Sequence, residues 1–502
     1  MQTTTQGMDV AKLSGTHWRV WFLSAMGIFL DGFDLFIIAV ALPLIVREFH
    51  PSHVLEGLIV SATPLGCILG ASVFGRFTDK LGRRVILLLD LLFFVIFAGM
   101  SAFAWSIESL IIFRFLLGIG IGADYPVSST YITENMPKKL RGRMLVSGFG
   151  FQALGAFAGA ALGGLILLFH PEIVAWRWML GIAVIPAAII LLLRLTLPES
   201  PRWLLQSGQV EKAAEVAQKM TGKKLKVEAM QAAQNSSFLD LFTRRYIKRT
   251  LVTSLAWFIM DVAFYGIGFF TPIILTAMAF GIGGKNFISA DIASTHGAML
   301  LDIFLIIGIF LAIILVDRWG RMILQSIGFI GMAVGLFILA ASHYFSDVHH
   351  LFLVFLGFAV FNLLVNMGPN PVTFLLPAEM FPTHIRATGH GFAAASGKVG
   401  AAIGGVLIPV MKAWVGLPIT LTGIGFLCLL GFILTVTLGY ETKGRSLDEL
   451  ERKLEKDMDQ AEIGLLNLQR DILRLQSDIT HVEGALAKAI EDMRKMHRDS
   501  KN

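Results

Sequence analysis

Apolar residues in this chain come in long unbroken stretches, and the polar residues gather in short gaps between them. About twelve stretches are long enough to cross a bilayer as helices, each needing roughly twenty apolar residues. They centre near residues 31, 67, 95, 122, 156, 187, 265, 305, 332, 363, 399 and 428. A polar segment over 199–249 divides them six and six, and residues 209–220 within it have the spacing of a short amphipathic surface helix. The pattern predicts an all-α polytopic membrane protein. Residues 1–198 form an N-terminal six-helix half, 199–249 a cytoplasmic central loop, 250–446 a C-terminal six-helix half and 447–502 a cytoplasmic helical tail. In the tail, apolar residues recur by alternating steps of four and three from Leu454, Met458, Ala461 and Leu465 through Ile472 and Ile479 to Met496. That spacing predicts a coiled coil ~60 Å long which self-associates in parallel as a homo-oligomer. The competing arrangement is a single helix folded back on the inner surface.

Composition agrees with the pattern. Of 502 residues 55% are hydrophobic and 16% charged, and the mean hydropathy is +0.70. The net charge of +6 does not describe a nucleic-acid surface, because the basic residues flank the apolar runs. Arg76, Lys80, Arg83 and Arg84 follow the second run, and Lys138, Lys139, Arg141 and Arg143 the fourth. Arg318 and Arg321 follow the eighth, and Arg386 the tenth. The opposite loops hold His50, His53, Glu56, Glu108, His170, Glu172, His349 and His350. By the positive-inside rule both termini are cytoplasmic in a multi-pass cell-membrane protein. The first run carries Asp31 and Asp34 and no small-residue cleavage site, so it reads as a retained helix and not a signal peptide. Cys67 and Cys428 lie inside apolar runs with no disulfide or metal spacing. The glycines Gly118, Gly120 and Gly122 follow no strand, so they serve helix packing and not a nucleotide. No Walker motif, nucleophile with a base, or metal-ligand set is present, so neither an enzyme, a cofactor nor ATP as energy source is expected.

The halves repeat one another. Gly75-Arg-Phe-Thr-Asp79-Lys-Leu-Gly82-Arg83-Arg84 is echoed by Asp317-Arg-Trp-Gly320-Arg321. Glu134-Asn-Met-Pro137-Lys-Lys-Leu-Arg141 is echoed by Glu379-Met-Phe-Pro382-Thr-His-Ile-Arg386, and Glu199-Ser-Pro-Arg202 by Glu441-Thr-Lys-Gly-Arg445. Three echoes at matching positions predict a duplicated six-helix unit. Acids and arginines at these helix ends can pair across helices and part when the halves rock. The gate is therefore assigned to Asp79, Arg83, Arg84, Glu134, Arg141, Asp317, Arg321, Glu379 and Arg386.

Ionisable residues also reach mid-membrane depth. Trp257, Asp261 and Tyr265, four apart, share one helical face, and Asp261 lies ~16 Å into its run. A carboxylate there costs roughly 2.5–3.5 kcal/mol, so it faces either a polar cavity or a bonded neighbouring helix. Asp31, Asp34, Asp124 and Lys398 reach a similar depth. Asp31 and Asp34 could alternatively cap a helix break at Gly32. Arg114 reads as a structural partner near the outer face and His390 as a packing histidine; Asp90 and Asp302 have no evident partner.

The Gly-x3-Asp-Lys-x-Gly-Arg-Arg loop and its echo resemble the hallmark of the major facilitator superfamily, and Pro198-Glu-Ser-Pro-Arg202 is similar to its sugar-porter-like branch. Three stretches resemble the phosphate:proton symporter family. They are Gly118-Ile-Gly-Ile-Gly122-Ala-Asp124-Tyr125-Pro126, the Trp257/Asp261/Tyr265 stripe, and Gly368-Pro-Asn370 continuing through Pro377-Ala-Glu379 and Gly389-His-Gly391 to Ser396-Gly-Lys398. The resemblance implies substrate binding by Tyr125, Gln152, Trp257, Asp261, Tyr265 and Lys398, and proton carriage by Asp31, Asp34 and Asp124. The first run departs, reading Asp-Gly-Phe-Asp where phosphate carriers tend to show Asp-Ala-Tyr-Asp, a version similar to aromatic-acid and other metabolite symporters. The residue chemistry fits an anion: Lys398 supplies a cation, and Asp261 can accept from the P–OH groups of dihydrogen phosphate. The expected function is a proton-coupled symporter of a small anion, first of all inorganic phosphate, with protons, the anion and membrane lipid as partners and no nucleic acid. The alternatives are symport of an organic acid, sugar or other metabolite, or a transporter-fold nutrient receptor signalling through its tail.

Overall fold

In the computed structural model of the chain the long apolar stretches are helices. The structure describes residues 13–222, 237–278, 287–345, 347–445 and 447–499, and no strand occurs among them. The first half contains α1 (Gly15–Phe49), α2 (His53–Leu81), α3 (Arg83–Ala102) and α4 (Ile107–Asn135). It continues with α5 (Arg141–Phe149) running on into α6 (Phe151–Phe169), and α7 (Ala175–Ile182) into α8 (Val184–Arg194). The second half contains α11 (Ile247–Met278), α12 (Phe287–Trp319) and α13 (Arg321–Ser342). After these come α14 (Asp347–Met367) with α15 (Pro369–Met380), then α16 (Arg386–Val415) and α17 (Leu417–Leu438). Eleven spans among the described residues are long and apolar enough to cross a membrane. The remaining run read in the sequence, near residue 399, lies in the 30-residue α16, part of whose side chains are outside the described set. Leu192, Leu168 and Phe426 are about three-fifths exposed, as lipid-facing side chains are.

Between the halves lie α9 (Pro201–Gln206) and α10 (Val210–Thr221). Ser200 caps α9 by accepting from the Trp203 amide. The amphipathic helix read at 209–220 is α10, which buries Ala213, Ala217 and Met220. Residues 223–236 of the central loop lie outside the described residues.

With no hydrophobic force between helices in lipid, close backbone approach supplies the packing energy, and glycine permits it. On α4, Gly118 faces the Thr63 backbone and Gly122 the Cys67 backbone of α2, and a Cβ on Gly122 would sit 2.6 Å from Cys67 Cα. The same device joins α1 to α6: Gly32 faces the Gln152 carbonyl and Gly155 the Phe29 carbonyl. α1 therefore runs unbroken through Gly32 for 35 residues. The helix-break reading of Asp31 and Asp34 is thereby overturned.

Residues 448–502 form a second compact unit, separate from 1–447. It lies within the single helix α18 (Leu447–Asp499) as far as Asp499. Side chains at 468–496 are exposed; those of Leu454, Met458, Ala461 and Leu465 lie outside the described residues.

The α2–α4 contact makes a testable contrast. Gly122→Val has no room and should lower stability by about 1–3 kcal/mol, the usual cost of overpacking. Gly99→Ala places its Cβ at an ordinary distance, 3.7 Å from Val184 Cγ2, and should be neutral or slightly stabilising. Thermal melting of both variants in detergent reads the difference.

Candidate functional site

Five helices bring polar side chains to one buried place. From α6, Gln152 Nε2 donates to Asp31 Oδ2 of α1 at 2.9 Å and to the Tyr125 hydroxyl of α4 at 3.1 Å. That hydroxyl donates to the same carboxylate oxygen. From α16, Lys398 Nζ donates to the Tyr265 hydroxyl of α11 at 2.7 Å and lies 3.8 Å from Asp261 Oδ2. The ammonium also stands 4.7 Å from the ring centroid of Tyr125 and 4.4 Å from that of Tyr265, within cation–π range. Trp257 closes one side, edge-on to Tyr125, Phe374 and His390. The stripe of Trp257, Asp261 and Tyr265 meets α16 because Gly397, Gly400 and Gly404 let the two helices touch along its length. None of these site residues is more than 8% exposed. Asp31 Oδ1 and Asp261 Oδ2 accept no hydrogen bond from any described residue. Beside them runs a narrow cavity lined in part by Gln152, Tyr265, Asn366 and Asn370.

The other deep acids are held elsewhere. Asp34 Oδ1 accepts from Arg114 Nη1 at 2.6 Å. Asp124 Oδ1 accepts from Arg194 Nη2 at 3.1 Å and from Ser128 Oγ at 2.9 Å. The same guanidinium reaches both Asp90 oxygens at 3.1 Å and donates to the carbonyls of Leu23 and Leu87. The structure thus gathers Asp31, Asp261 and Lys398 with the two tyrosines, Gln152 and Trp257. It gives Asp34 and Asp124 guanidinium partners of their own. His390 packs between Trp257 and Phe374, with Nε2 on the Phe374 carbonyl at 2.9 Å.

At the basic end one clamp is built twice. Arg83 grips Glu134 through Nε at 3.0 Å and Nη2 at 2.8 Å, and Arg321 grips Glu379 through the same atoms at 3.1 and 2.8 Å. Glu199 accepts the amides of Arg83 and Arg84 as Glu441 accepts those of Arg321 and Met322. Each carboxylate caps a helix that starts after a glycine at φ +101 (Gly82) or +100 (Gly320), a backbone that other residues rarely adopt. Ser200 and Thr442 donate to Glu134 and Glu379 at 2.6 and 2.5 Å. Other bonds cross between the repeats. Arg386 donates to Glu134 at 2.9 Å, Asp79 accepts the Thr388 amide and hydroxyl at 2.8 Å, and the Arg143 amide donates to Asp317 at 3.2 Å. Arg84 donates within its own half, to Leu195 O, and Arg141 Nε to Thr133 O. His384, outside the spans, is pushed below the ordinary histidine range by burial and then by Arg245 and Arg386. It stays neutral at physiological pH.

A duplicated arginine clamp over a buried ionisable site is the build of a membrane carrier, and the family model described as sugar (and other) transporter matches residues 20–454. The chain belongs to that family. The transporter is 30% identical over 517 residues to "Probable inorganic phosphate transporter 1-10" of Oryza sativa subsp. japonica, covering 91% of this chain and 93% of the relative. It is 30% identical over 448 residues to "Inner membrane metabolite transport protein YgcS" of Escherichia coli (strain K12), covering 89% and 96%. Its fold is that of the major facilitator superfamily. The proton:xylose symporter XylE of E. coli, bound to 6-bromo-6-deoxy-D-glucose, matches with a TM-score of 0.77 at 23% identity over 88% of this chain and 100% of that one.

Sequence reading left three parts of the transporter's interior unassigned. Arg194 carried no assignment, although Leu191, Leu192, Leu193, Leu195 and Leu197 around it mark it as lying within an apolar run. Asp90 had no visible partner until Arg194 was placed beside it. Asn366, which accepts from Asn370 Nδ2 at 2.6 Å, carried no signal beyond its position in an apolar run. The crossing bonds yield an expected outcome. Arg386→Gln loosens the basic end, so a cysteine at Thr383, buried beneath Arg83, reacts several-fold faster with a polar thiol reagent. Arg177→Gln, which loses contacts far from that end, with Glu48, the Ala102 and Ala104 carbonyls and the Trp176 ring, leaves that rate unchanged.

Proposed function

We propose that the transporter is a proton-coupled symporter of a small anion, foremost inorganic phosphate, working by alternating access in the cell membrane with its basic end cytoplasmic. The observation that carries this is the Lys398 ammonium. It is buried against two tyrosine rings, and among the described residues one carboxylate, that of Asp261, lies in ion-pair range, at the long distance of 3.8 Å. Such a cation is only partly compensated and can take an incoming anion. Relatives named as inorganic phosphate transporters support the choice. Tyr125, Tyr265, Gln152 and Trp257 donate or wall the site, and Asp261 accepts from the hydroxyls of dihydrogen phosphate.

Coupling follows from charge. Deep within the described spans, six buried carboxylates, Asp31, Asp34, Asp90, Asp124, Asp261 and Asp302, stand against three cations, Arg114, Arg194 and Lys398. Six buried carboxylates against three cations leave no spare positive charge, so a monoanion added beside Lys398 is balanced by the uptake of a proton. Anion and proton therefore bind together, and anion affinity rises as pH falls. Asp31, whose bonds come from the neutral groups Tyr125 and Gln152, is the first carrier; Asp34 and Asp124 exchange protons against Arg114 and Arg194. Neutral His384 takes no part, so His384→Gln leaves the pH profile of uptake in place.

A second reading, a neutral polyol, draws on the amides of Gln152, Asn366 and Asn370 at the cavity wall. An uptake panel of phosphate, organic acids and sugars in proteoliposomes under an imposed proton gradient separates the two. Phosphate uptake should rise at acid external pH and collapse with a protonophore; uptake indifferent to both sinks the proposal. Asp31→Asn should lose accumulation yet keep exchange. Lys398→Ala should cost about 3–5 kcal/mol of anion binding, more than a hundredfold in Kd. A change of less than about threefold points to the neutral substrate.

A further inference from the structure

The tail offers an apolar seam whose occupant can be read from its borders. Along α18 the described seam runs from Leu468 through Ile472, Leu475 and Ile479 to Met496, with Ile472 48% and Val482 66% exposed. Alternating four–three spacing puts Ile472 and Ile479 at heptad position a and Leu468 and Leu475 at d. The positions bordering that seam, e and g, then hold Asp471, Asp478, Glu483 and Asp492, and no lysine or arginine over 468–496. The bases of this stretch, Arg470, Arg474, Lys488, Arg494 and Lys495, all fall on the outward positions b, c and f. Lys495 is bonded there to Glu491 of its own helix, at 3.3 Å.

We infer that α18 is one strand of a heteromeric coiled coil whose partner is a helix carrying lysine or arginine beside its own apolar seam. Border charges choose coiled-coil partners, because e and g residues of the two helices face one another. Two copies of this tail gain no attractive border pair in any register or orientation. In the parallel in-register dimer Asp478 lies opposite Glu483 of the other copy, a like-charge contact that opposes association. The self-association suggested by the repeat alone gives way to this border. An anionic lipid surface fits no better, since with the seam laid on it the acids at e and g would stand nearest the anionic headgroups and be repelled, while the bases at b, c and f would point away. A basic-bordered helix satisfies the seam and all four acids at once.

The test uses the purified full-length transporter and two synthetic helical probes of about four heptads, each with Ile at a and Leu at d. One carries Lys at every e and g position, its twin Glu. The Lys probe should bind saturably and at least about tenfold tighter than the Glu twin at low salt, with the ratio shrinking as salt screens the borders. Ile472→Lys with Ile479→Lys should abolish Lys-probe binding. Reversing Asp471, Asp478, Glu483 and Asp492 together to Lys should invert the preference toward the Glu twin. Both variants should elute as monodisperse, helical protein. Equal binding of the twins, or no binding of the Lys probe to the native chain, overturns the inference. So does a full-length dimer at neutral pH that Ile472→Lys with Ile479→Lys returns to monomer.

Discussion

Hydrocarbon admits a charge only when a partner is already in place, and the interior of this transporter is arranged around that demand. Arg194 shows the demand met in full: two carboxylates and two backbone carbonyls surround one guanidinium. Even the helix beside it yields, since a Cβ on Gly27 would stand 2.6 Å from the Asp124 carboxylate oxygens. Lys398 is the contrast, with a tyrosine hydroxyl and a distant carboxylate where Arg194 has a complete shell. A saturated charge holds helices together; an unsaturated one has something left to bind.

The same economy governs the basic end. Each repeat builds its clamp from an arginine, a glutamate, a hydroxyl and a second glutamate that caps the arginine's helix. Those bonds stay inside a repeat and make it stiff. The bonds that cross between repeats, Arg386 to Glu134 and Arg83 to the Thr383 carbonyl among them, are added to these, and neither clamp depends on them for its own arginine, acid and hydroxyl.

Much of this was legible in the chain. Run lengths gave the helices, three echoed motifs gave the duplicated clamp, and fourfold spacing put Trp257, Asp261 and Tyr265 on one face toward α16. Depth along a helix is fixed by counting residues, which is why the deep charges could be named. Rotation about the axis is not, because neighbouring helices set it. Asp31 and Asp34 are three apart, yet one meets Gln152 and Tyr125 while the other meets Arg114. Nothing in the first run alone separates them. Gly32 was ambiguous for a related reason: a glycine in an apolar run permits a break or a close approach, and only the Gln152 carbonyl lying against it decides.

Glu134 accepts from Arg83 and Ser200 of its own repeat and from Arg386 of the other. If the repeats separate, its carboxylate keeps two of those partners and is never left bare in a dry interior. Arg386 would lose its acid only as water arrives to hydrate it, and the Asp79 carboxylate would likewise pass from the Thr388 amide to solvent. A parting of the repeats at this end would thus exchange one partner for water and would expose no bare charge.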